Sequence, residues 1–337
     1  AEGGSVLLVF VDSTQGWLTT QQSVTESPSG VETFIVASGG DATVTCGNFK
    51  THIFTGSGTF TVSAAATSAP NNVVDYTVVA GGGGGGSNNY GPPRGSGGGG
   101  AGGMRFFSTA PGSNHPINNS GASPNTTVTV TAQAYPITIG AGGAGAPSGS
   151  PDAGSDGNNS VFSTVTSALG GKGGGHCNST AGAGGSGGGG RNATTGGAGN
   201  PPPVAPPQGN PGGDGGASSG NYRGSGGGGA GGAGIDGDTS TPDYGAGGVG
   251  AYIADPFIGP TAPSYGTPGP VSSTRYLAGG GSGSPGPGSA IAGPLGGGGG
   301  AKGAAGTANT GGGGGANSPG AGAAGGSGIV MIRYKFQ

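Results

Sequence analysis

The chain has 337 residues, of which 93 are glycine and 7% are charged, and its formal net charge at pH 7 is −3. It therefore lacks the clustered lysine and arginine that contacts with a phosphate backbone require, which excludes a general nucleic-acid-binding protein. Because only 30% of the residues are hydrophobic, backbone hydrogen bonds must supply much of the stabilisation that side chains usually provide.

Residues 1–36 are expected to form an N-terminal attachment or oligomerisation segment. Its apolar stretch, Val6 to Val11, reads VLLVFV and predicts a strand that needs cover on both faces. The stretch is far too short to cross a bilayer, so membrane insertion is not expected.

Residues 37–80 have the composition of ordinary β-strands, in short segments separated by Gly, Ser and Asn turns. Residues 328–337 close the chain with another strand, IVMIRYKF. Its alternation predicts one buried face and one wet face, with Arg333 and Lys335 on the wet one. The simplest arrangement pairs this last strand with the early segments, so that together they form one small antiparallel β unit. His52 lies within a predicted strand, where a structural role is expected.

Residues 81–327 contain runs that are almost pure glycine, and their few side chains recur three residues apart. Examples are Ala141, Ala144 and Pro147, or Ala246, Val249 and Tyr252. A period of three fits neither an α-helix nor a strand, but it fits the extended left-handed helix with three residues per turn. That helix has no internal hydrogen bonds, so its backbone groups must bond to neighbouring helices.

The fold class predicted is therefore mainly β or irregular, with essentially no α-helix: a small antiparallel β unit closed by the C-terminal strand, plus a layered bundle of polyglycine II helices. Runs without side chains, 81–86, 296–300 and 311–315, are expected in an inner layer. Runs such as 97–104, with a side chain at every third position, are expected in outer layers. A flexible linker would show the three-residue step only by accident. Collagen would need an unbroken Gly-X-Y register and more than 26 prolines.

The sequence offers little for catalysis or metal binding. No Ser/His/Asp set has suitable spacing, and GxGxxG matches carry no information in so glycine-rich a chain. The protein is therefore expected not to be an enzyme and to need no cofactor. Asp236, Asp238 and Asp243 fit a solvated acidic turn better than a calcium site. Cys46 is expected as a buried free thiol and Cys177 lies in a loop, and the sequence leaves open a disulfide between them.

Several stretches resemble a known group of proteins. VDYTVVAGGGGGG (Val74 to Gly86), YPITIGAGGAG (Tyr135 to Gly145), GTANTGGGGGA (Gly306 to Ala316) and the closing GGSGIVMIRYKFQ resemble the glycine-rich C-terminal domains of tail-fibre or appendage proteins of marine bacteriophages, including cyanophages. The architecture is more distantly similar to the tip adhesins of T-even-type phages, in which polyglycine helices form a layered sandwich and loops at its distal end recognise the host.

This resemblance implies a virion appendage or tail-fibre adhesin that is extracellular on the virion and binds the bacterial host surface through loops. The expected partners are a bacterial receptor, either an outer-membrane protein or a polysaccharide, other virion fibre or tail proteins, and, in one arrangement, two further copies in a homotrimer. The alternative is a purely structural virion fibre or decoration protein whose loops contact other virion proteins.

Aromatic residues in polar, Gly/Pro-rich surroundings are the candidates for host contact, because aromatic and arginine side chains give a large contact area at modest entropic cost. Packing between loops or subunits is the competing role for the aromatic residues. The long loop 251–277 concentrates most of the candidates, and a functional loop on a rigid scaffold is the expected arrangement. The candidate residues are Phe106, Phe107, His115, Tyr252, Phe257, Tyr265, Arg275 and Tyr276.

Overall fold

The computed structural model describes residues 6–12, 16–22, 32–88, 95–109, 127–149, 152–175, 180–218, 221–237, 245–254, 257, 265–270, 274–284 and 291–337. In this part of the chain the protein is mainly antiparallel β-structure, as predicted. A short 3₁₀ helix spans Ala69–Asn72. No helix in these ranges is long and apolar enough to cross a membrane.

The strands, in chain order, are β1 (Val6–Asp12), β2 (Gly16–Gln22), β3 (Val36–Ser38), β4 (Ala42–Cys46), β5 (Phe49–Phe54), β6 (Gly58–Ala64), β7 (Val73–Val79), β8 (Met104–Phe107), β9 (Val128–Thr129), β10 (Ala134–Thr138), β11 (Ser160–Phe162), β12 (Val165–Ser167), β13 (Gly216–Ser218), β14 (Asn221–Arg223), β15 (Ala251–Ala254), β16 (Thr267–Pro268), β17 (Thr274–Leu277) and β18 (Ile329–Lys335). Strands β1 and β2 form a separate antiparallel hairpin, and so do β13 and β14.

Two larger sheets pack face to face as a sandwich. The six-stranded sheet has the order β4-β5-β18-β7-β8, with β9 also paired to β7, and the five-stranded sheet has the order β12-β11-β10-β6-β3. Apolar side chains from both sheets fill the space between them, including Phe60, Tyr76, Phe162 and Ile332, each of which is completely buried. Strand β18 lies between β5 and β7, which confirms that the last strand pairs with the early segments. The sandwich also takes β8 to β12 from inside residues 81–327, so its boundaries are wider than predicted.

The prediction that Arg333 faces water is wrong. The second face of the six-stranded sheet is covered by β15, β17 and Phe257, so β18 is buried on both faces and Arg333 is only 4% exposed. Its NH1 lies 2.9 Å from Oδ2 of Asp75, and its guanidinium stacks 3.8 Å from the ring centroid of Phe49. Burial lowers the pKa of Arg333, while Asp75 opposes this shift.

Two further expectations concern the interior of the sandwich. His52 is a buried structural residue: its Nδ1–H donates to the carbonyl of Gly39 at 2.6 Å, and its Nε2 lies 3.1 Å from the Tyr334 hydroxyl. Cys46 is a free thiol, but it is half-buried at an edge strand rather than fully buried. Cys177 lies outside the described residues.

The glycine runs continue directly from the strands of the sandwich. Run 81–88 follows β7, run 95–103 leads into β8, run 140–147 follows β10, run 168–175 follows β12, and run 320–328 leads into β18. At a rise of about 3.1 Å per residue, run 81–88 extends roughly 20 Å away from the sandwich. Its last residues bond to Asn317 and Gly320, so turns between runs meet at this far end, which we call the turn end.

Hydrogen bonds between the runs repeat every three residues. In run 81–88, the N–H groups of Gly81 and Gly84 donate to 158 and 155, those of Gly82 and Gly85 donate to 326 and 323, and that of Gly83 donates to 100. The carbonyls of the same run accept from three other runs, 140–147, 168–175 and 310–317. Each inner run thus has six neighbours, donating to three and accepting from three, which is the lateral bonding expected of polyglycine II helices.

These neighbour relations arrange the runs in layers. The central layer contains 140–147, 81–88, 95–103, 224–230 and 231–237. One flanking layer contains 152–158, 168–175, 184–190 and 208–215, and the other contains 320–328, 310–317, 278–284 and 245–250, with short segments outside each. Runs 81–86 and 311–315 are buried, as predicted, whereas 296–300 lies in an outer segment. Run 97–104 is central rather than peripheral, because Ala101 and Met104 are buried where the bundle meets the sandwich.

Candidate functional site

Tyrosine side chains gather on the three-stranded sheet formed by β15, β17 and β16. Tyr252 lies directly opposite Tyr276 in the antiparallel register, and their ring centroids are 5.7 Å apart. Both side chains are half-exposed, as is that of Tyr265 at the start of the neighbouring turn. We call this surface, made of Tyr252, Tyr265 and Tyr276, the tyrosine face.

The opposite face of this sheet is completely buried. Because successive residues of a strand point to opposite faces, Ala251, Ile253 and Leu277 point away from the tyrosine face and are at most 1% exposed. They pack in one cluster with Ile53 and Met331 of the six-stranded sheet. The tyrosine face is therefore mounted on a rigid support.

Arg275 acts as a clamp rather than as a free contact residue. Its Nε donates to the carbonyl of Tyr265 at 2.8 Å, and its NH2 donates to the carbonyl of Gly266 at 2.6 Å. Gly266 has a φ of +73°, a left-handed conformation that favours glycine. The arginine thus fixes the turn that positions Tyr265, and its expected role as a host contact is replaced by a role within the chain.

Phe106, Phe107 and Phe257 are core residues, which corrects the expectation that they form a contact surface. Their exposures are 1%, 5% and 4%. The ring of Phe257 lies 5.2 Å from that of Phe106, and Phe107 stacks on Tyr76 at 5.8 Å. The carbonyl of Phe257 also accepts a hydrogen bond of 2.9 Å from Thr51 Oγ1. Phe257 therefore anchors the loop 251–277 against the six-stranded sheet.

The structure thus brings together four of the eight candidates: Tyr252, Tyr265, Arg275 and Tyr276. It places Phe106, Phe107 and Phe257 in the core, and His115 lies outside the described residues. The loop 251–277 packs against the sandwich, so the tyrosine face is not at the turn end, where loops were expected to bind.

Sequence reasoning missed the phenylalanines because MRFF directly follows a glycine run. The signal that could have identified them is local: Met104 to Phe107 is a short, mainly apolar stretch, which is consistent with a strand covered on both faces. Asking which strand continues the run 95–103 would have placed both phenylalanines in a sheet.

The turn end is polar and cross-bonded. Ser87 Oγ donates to the carbonyl of Gly320 at 2.7 Å, and Ser96 Oγ donates to that of Asn317 at 2.9 Å. The acidic stretch predicted near Asp236 is partly described: Asp236 Oδ1 accepts the N–H of Asp214 at 2.7 Å, and Asp238 and Asp243 lie outside the described residues. Within the ranges given above, no group of three His, Cys, Asp or Glu residues could hold a metal ion.

These features define a class of protein in which an antiparallel β-sandwich anchors a layered glycine-helix bundle. A family model described as a glycine-rich domain matches residues 53–335, and the chain belongs to this family. The match runs from β5 to β18, so it includes most of the sandwich, the bundle and the tyrosine face. A comparison with curated proteins finds no match.

Proposed function

We propose that this chain is a virion appendage or tail-fibre adhesin that binds the bacterial host surface. The observation that carries the proposal is the tyrosine face, in which Tyr252 and Tyr276 are half-exposed with ring centroids 5.7 Å apart on a support that is buried behind them. Tyrosines held in place lose little entropy on binding and offer both an apolar ring and a hydroxyl. The resemblance of the glycine motifs to those of marine phage fibre domains supports the same function.

The expected ligand is a bacterial surface component, either an outer-membrane protein or a polysaccharide. In this proposal the protein acts outside the cell, as part of the virion, and contacts other fibre or tail proteins. The bundle serves as a stiff spacer and support, because each inner run is bonded on six sides. The chemistry is recognition rather than catalysis.

The test uses the purified chain, fluorescently labelled, and a panel of marine bacterial strains that includes cyanobacteria. A strain that retains the protein is then treated with the double variant Tyr252→Ser, Tyr276→Ser. We expect at least a tenfold loss of cell binding, because each buried aromatic contact is typically worth about 1 kcal/mol or more.

The matched control is Val249→Ser. Val249 is 47% exposed and precedes Tyr252 by three residues, so this variant removes exposed apolar surface beside the tyrosine face without changing it. Equal binding by the tyrosine double variant and the control would refute the assignment of the tyrosine face.

One observation favours a second function, a structural element of the virion. The tyrosine face lies beside the sandwich, to which the N-terminal residues 36–38 also pair through β3, so it is near the end through which this chain would join other virion proteins. Imaging of virus particles distinguishes the two functions. A tyrosine face open to solvent supports the adhesin, whereas one buried in a joint supports the structural element.

A further inference from the structure

Run 320–328 lies at the surface of the bundle and uses only part of its bonding capacity. Its inner side is saturated: Gly325 N–H donates to the carbonyl of Gly143 at 2.9 Å, and Gly326 N–H donates to that of Gly312 at 2.7 Å. On its outer side, the carbonyls of Gly322 and Gly325 and the N–H groups of Ala324 and Ser327 bond to no described residue.

The unused groups have the spacing that the bundle uses inside. The two free carbonyls are three residues apart, and so are the two free N–H groups, which is the step by which every inner run bonds to its neighbours. The adjacent run 140–147 adds the N–H groups of Gly142 and Gly145, which also bond to no described residue. The surface therefore offers the bonds of a vacant lattice position next to the bundle.

Side chains stand at this position. Ala321 is half-exposed and Ala324 is exposed, whereas Ala323 and Gly326, which face inward, are buried. The glycines of the same run show how little room a neighbour leaves: a Cβ on Gly322, Gly325 or Gly326 would lie only 2.0 to 2.2 Å from a carbonyl oxygen of the adjoining run. A methyl group that points outward excludes a further run at the lattice distance in the same way.

The same rule holds on other outer runs. Side chains at intervals of three are exposed or half-exposed along run 140–147, along run 152–158 and along run 245–250, while the innermost runs carry few side chains. The outward columns are Ala141, Ala144 and Pro147; Asp152, Ser155 and Asn158; and Ala246 and Val249. This accounts for Val249, an otherwise unexplained exposed hydrophobic residue.

We propose that Ala321 and Ala324 prevent a second copy of this chain from stacking laterally on the bundle. The occupant that the vacant position fits is run 320–328 of another copy, because that run presents both the free carbonyls and the free N–H groups that pair with each other. Acceptors on one copy meet donors on the next, so the contact is head-to-tail and does not close into a dimer. This inference is independent of the host-binding proposal.

The experiment compares the double variant Ala321→Gly, Ala324→Gly with the natural chain by sedimentation velocity over rising protein concentration. The natural chain is expected to sediment with its mass of 30.7 kDa at this surface's expense of no contact, or with one fixed oligomeric mass set by other surfaces. The glycine variant is expected to show a mass that keeps rising with concentration and exceeds twice the natural value.

The control is Ala321→Ser, Ala324→Ser, which keeps both Cβ atoms and is expected to sediment like the natural chain. Circular dichroism and thermal melting establish that each variant is folded, and the single variant Ala324→Gly is the substitute if the double variant is not. A folded glycine variant that sediments like the natural chain overturns the proposal. Equal association by the serine variant also overturns it, because loss of the Cβ would then not be the cause.

Discussion

Replacing one inner glycine by alanine tests whether the lateral backbone lattice holds the bundle together. The informative change is Gly99→Ala, in the central run 95–103. A Cβ at this position would lie 2.1 Å from the carbonyl oxygen of Gly83 in the neighbouring run. Real Cβ contacts essentially never fall below 3.0 Å, so the two runs have to separate by at least 0.9 Å, the difference between these distances.

The size of the effect follows from the bonds that this separation breaks. Gly83 N donates to Gly100 O at 2.8 Å and Gly86 N donates to Gly97 O at 2.9 Å, so both bonds would stretch to about 3.7 Å, beyond hydrogen-bonding range. The bond from Gly314 N to Gly83 O is disturbed as well. With about 1 kcal/mol for each lost bond and about 1 to 3 kcal/mol for overpacking, we expect a loss of about 4 to 6 kcal/mol.

The matched control is Gly232→Ala, in another glycine run. A Cβ there meets only the Val249 Cγ2 atom, at 3.2 Å, which is the end of a side chain that can move. Its stability should change by less than about 1 kcal/mol, because alanine also reduces the entropy of the unfolded chain.

Urea unfolding, combined with hydrogen exchange of peptides covering 81–88 and 95–103, measures both variants. The expected result for Gly99→Ala is a lower unfolding midpoint and faster exchange in these two runs. If Gly99→Ala and Gly232→Ala were equally stable, the inner runs would have room for a methyl group and the lattice argument would be wrong.

Three further predictions concern the sandwich. Burial lowers the pKa of His52, so the unfolded chain takes up a proton near pH 6.5 that the folded chain resists; stability should fall as the pH drops below about 6.5, and urea midpoints should lose this dependence in His52→Gln. Arg333→Leu leaves Asp75 buried without its charged partner and should cost about 3 to 5 kcal/mol in chemical denaturation, whereas the double variant with Asp75→Leu should recover much of it. Phe257→Ala removes the anchor of the loop 251–277 and should lower the free energy of unfolding by about 3 to 5 kcal/mol; an unchanged value would show that Phe257 is not an anchor.

The sequence predicts the lattice better than it predicts what faces what. The three-residue step at Ala141 and Ala144 indicates one face with side chains, and both residues are indeed exposed. The same step at Ala101 and Met104 indicates a face equally well, but that face is buried against the sandwich. Periodicity shows that a run has a marked face, whereas the neighbour of that face depends on distant segments.

Arg333 illustrates the same limit in a strand. Alternation with Ile332 and Tyr334 predicts one wet face, and it would be correct if one sheet face were open. Phe257, 76 residues earlier in the chain, covers that face, and Asp75 supplies the charge that burial of Arg333 requires. The position of the tyrosine face depends on the same covering contact, so local pattern could identify its tyrosines but not the end of the molecule at which they lie.

The bundle buries peptide groups where the sandwich buries hydrocarbon, and this difference affects the heat capacity of the chain. Exposing apolar surface raises the heat capacity on unfolding, by about 0.45 cal/K/mol per Å², whereas exposing polar surface lowers it, by about 0.26 cal/K/mol per Å². A glycine lattice such as 81–86 therefore contributes little to the curvature of stability with temperature, or opposes it. On cooling, the sandwich loses part of its hydrophobic stabilisation, while the glycine lattice retains its own.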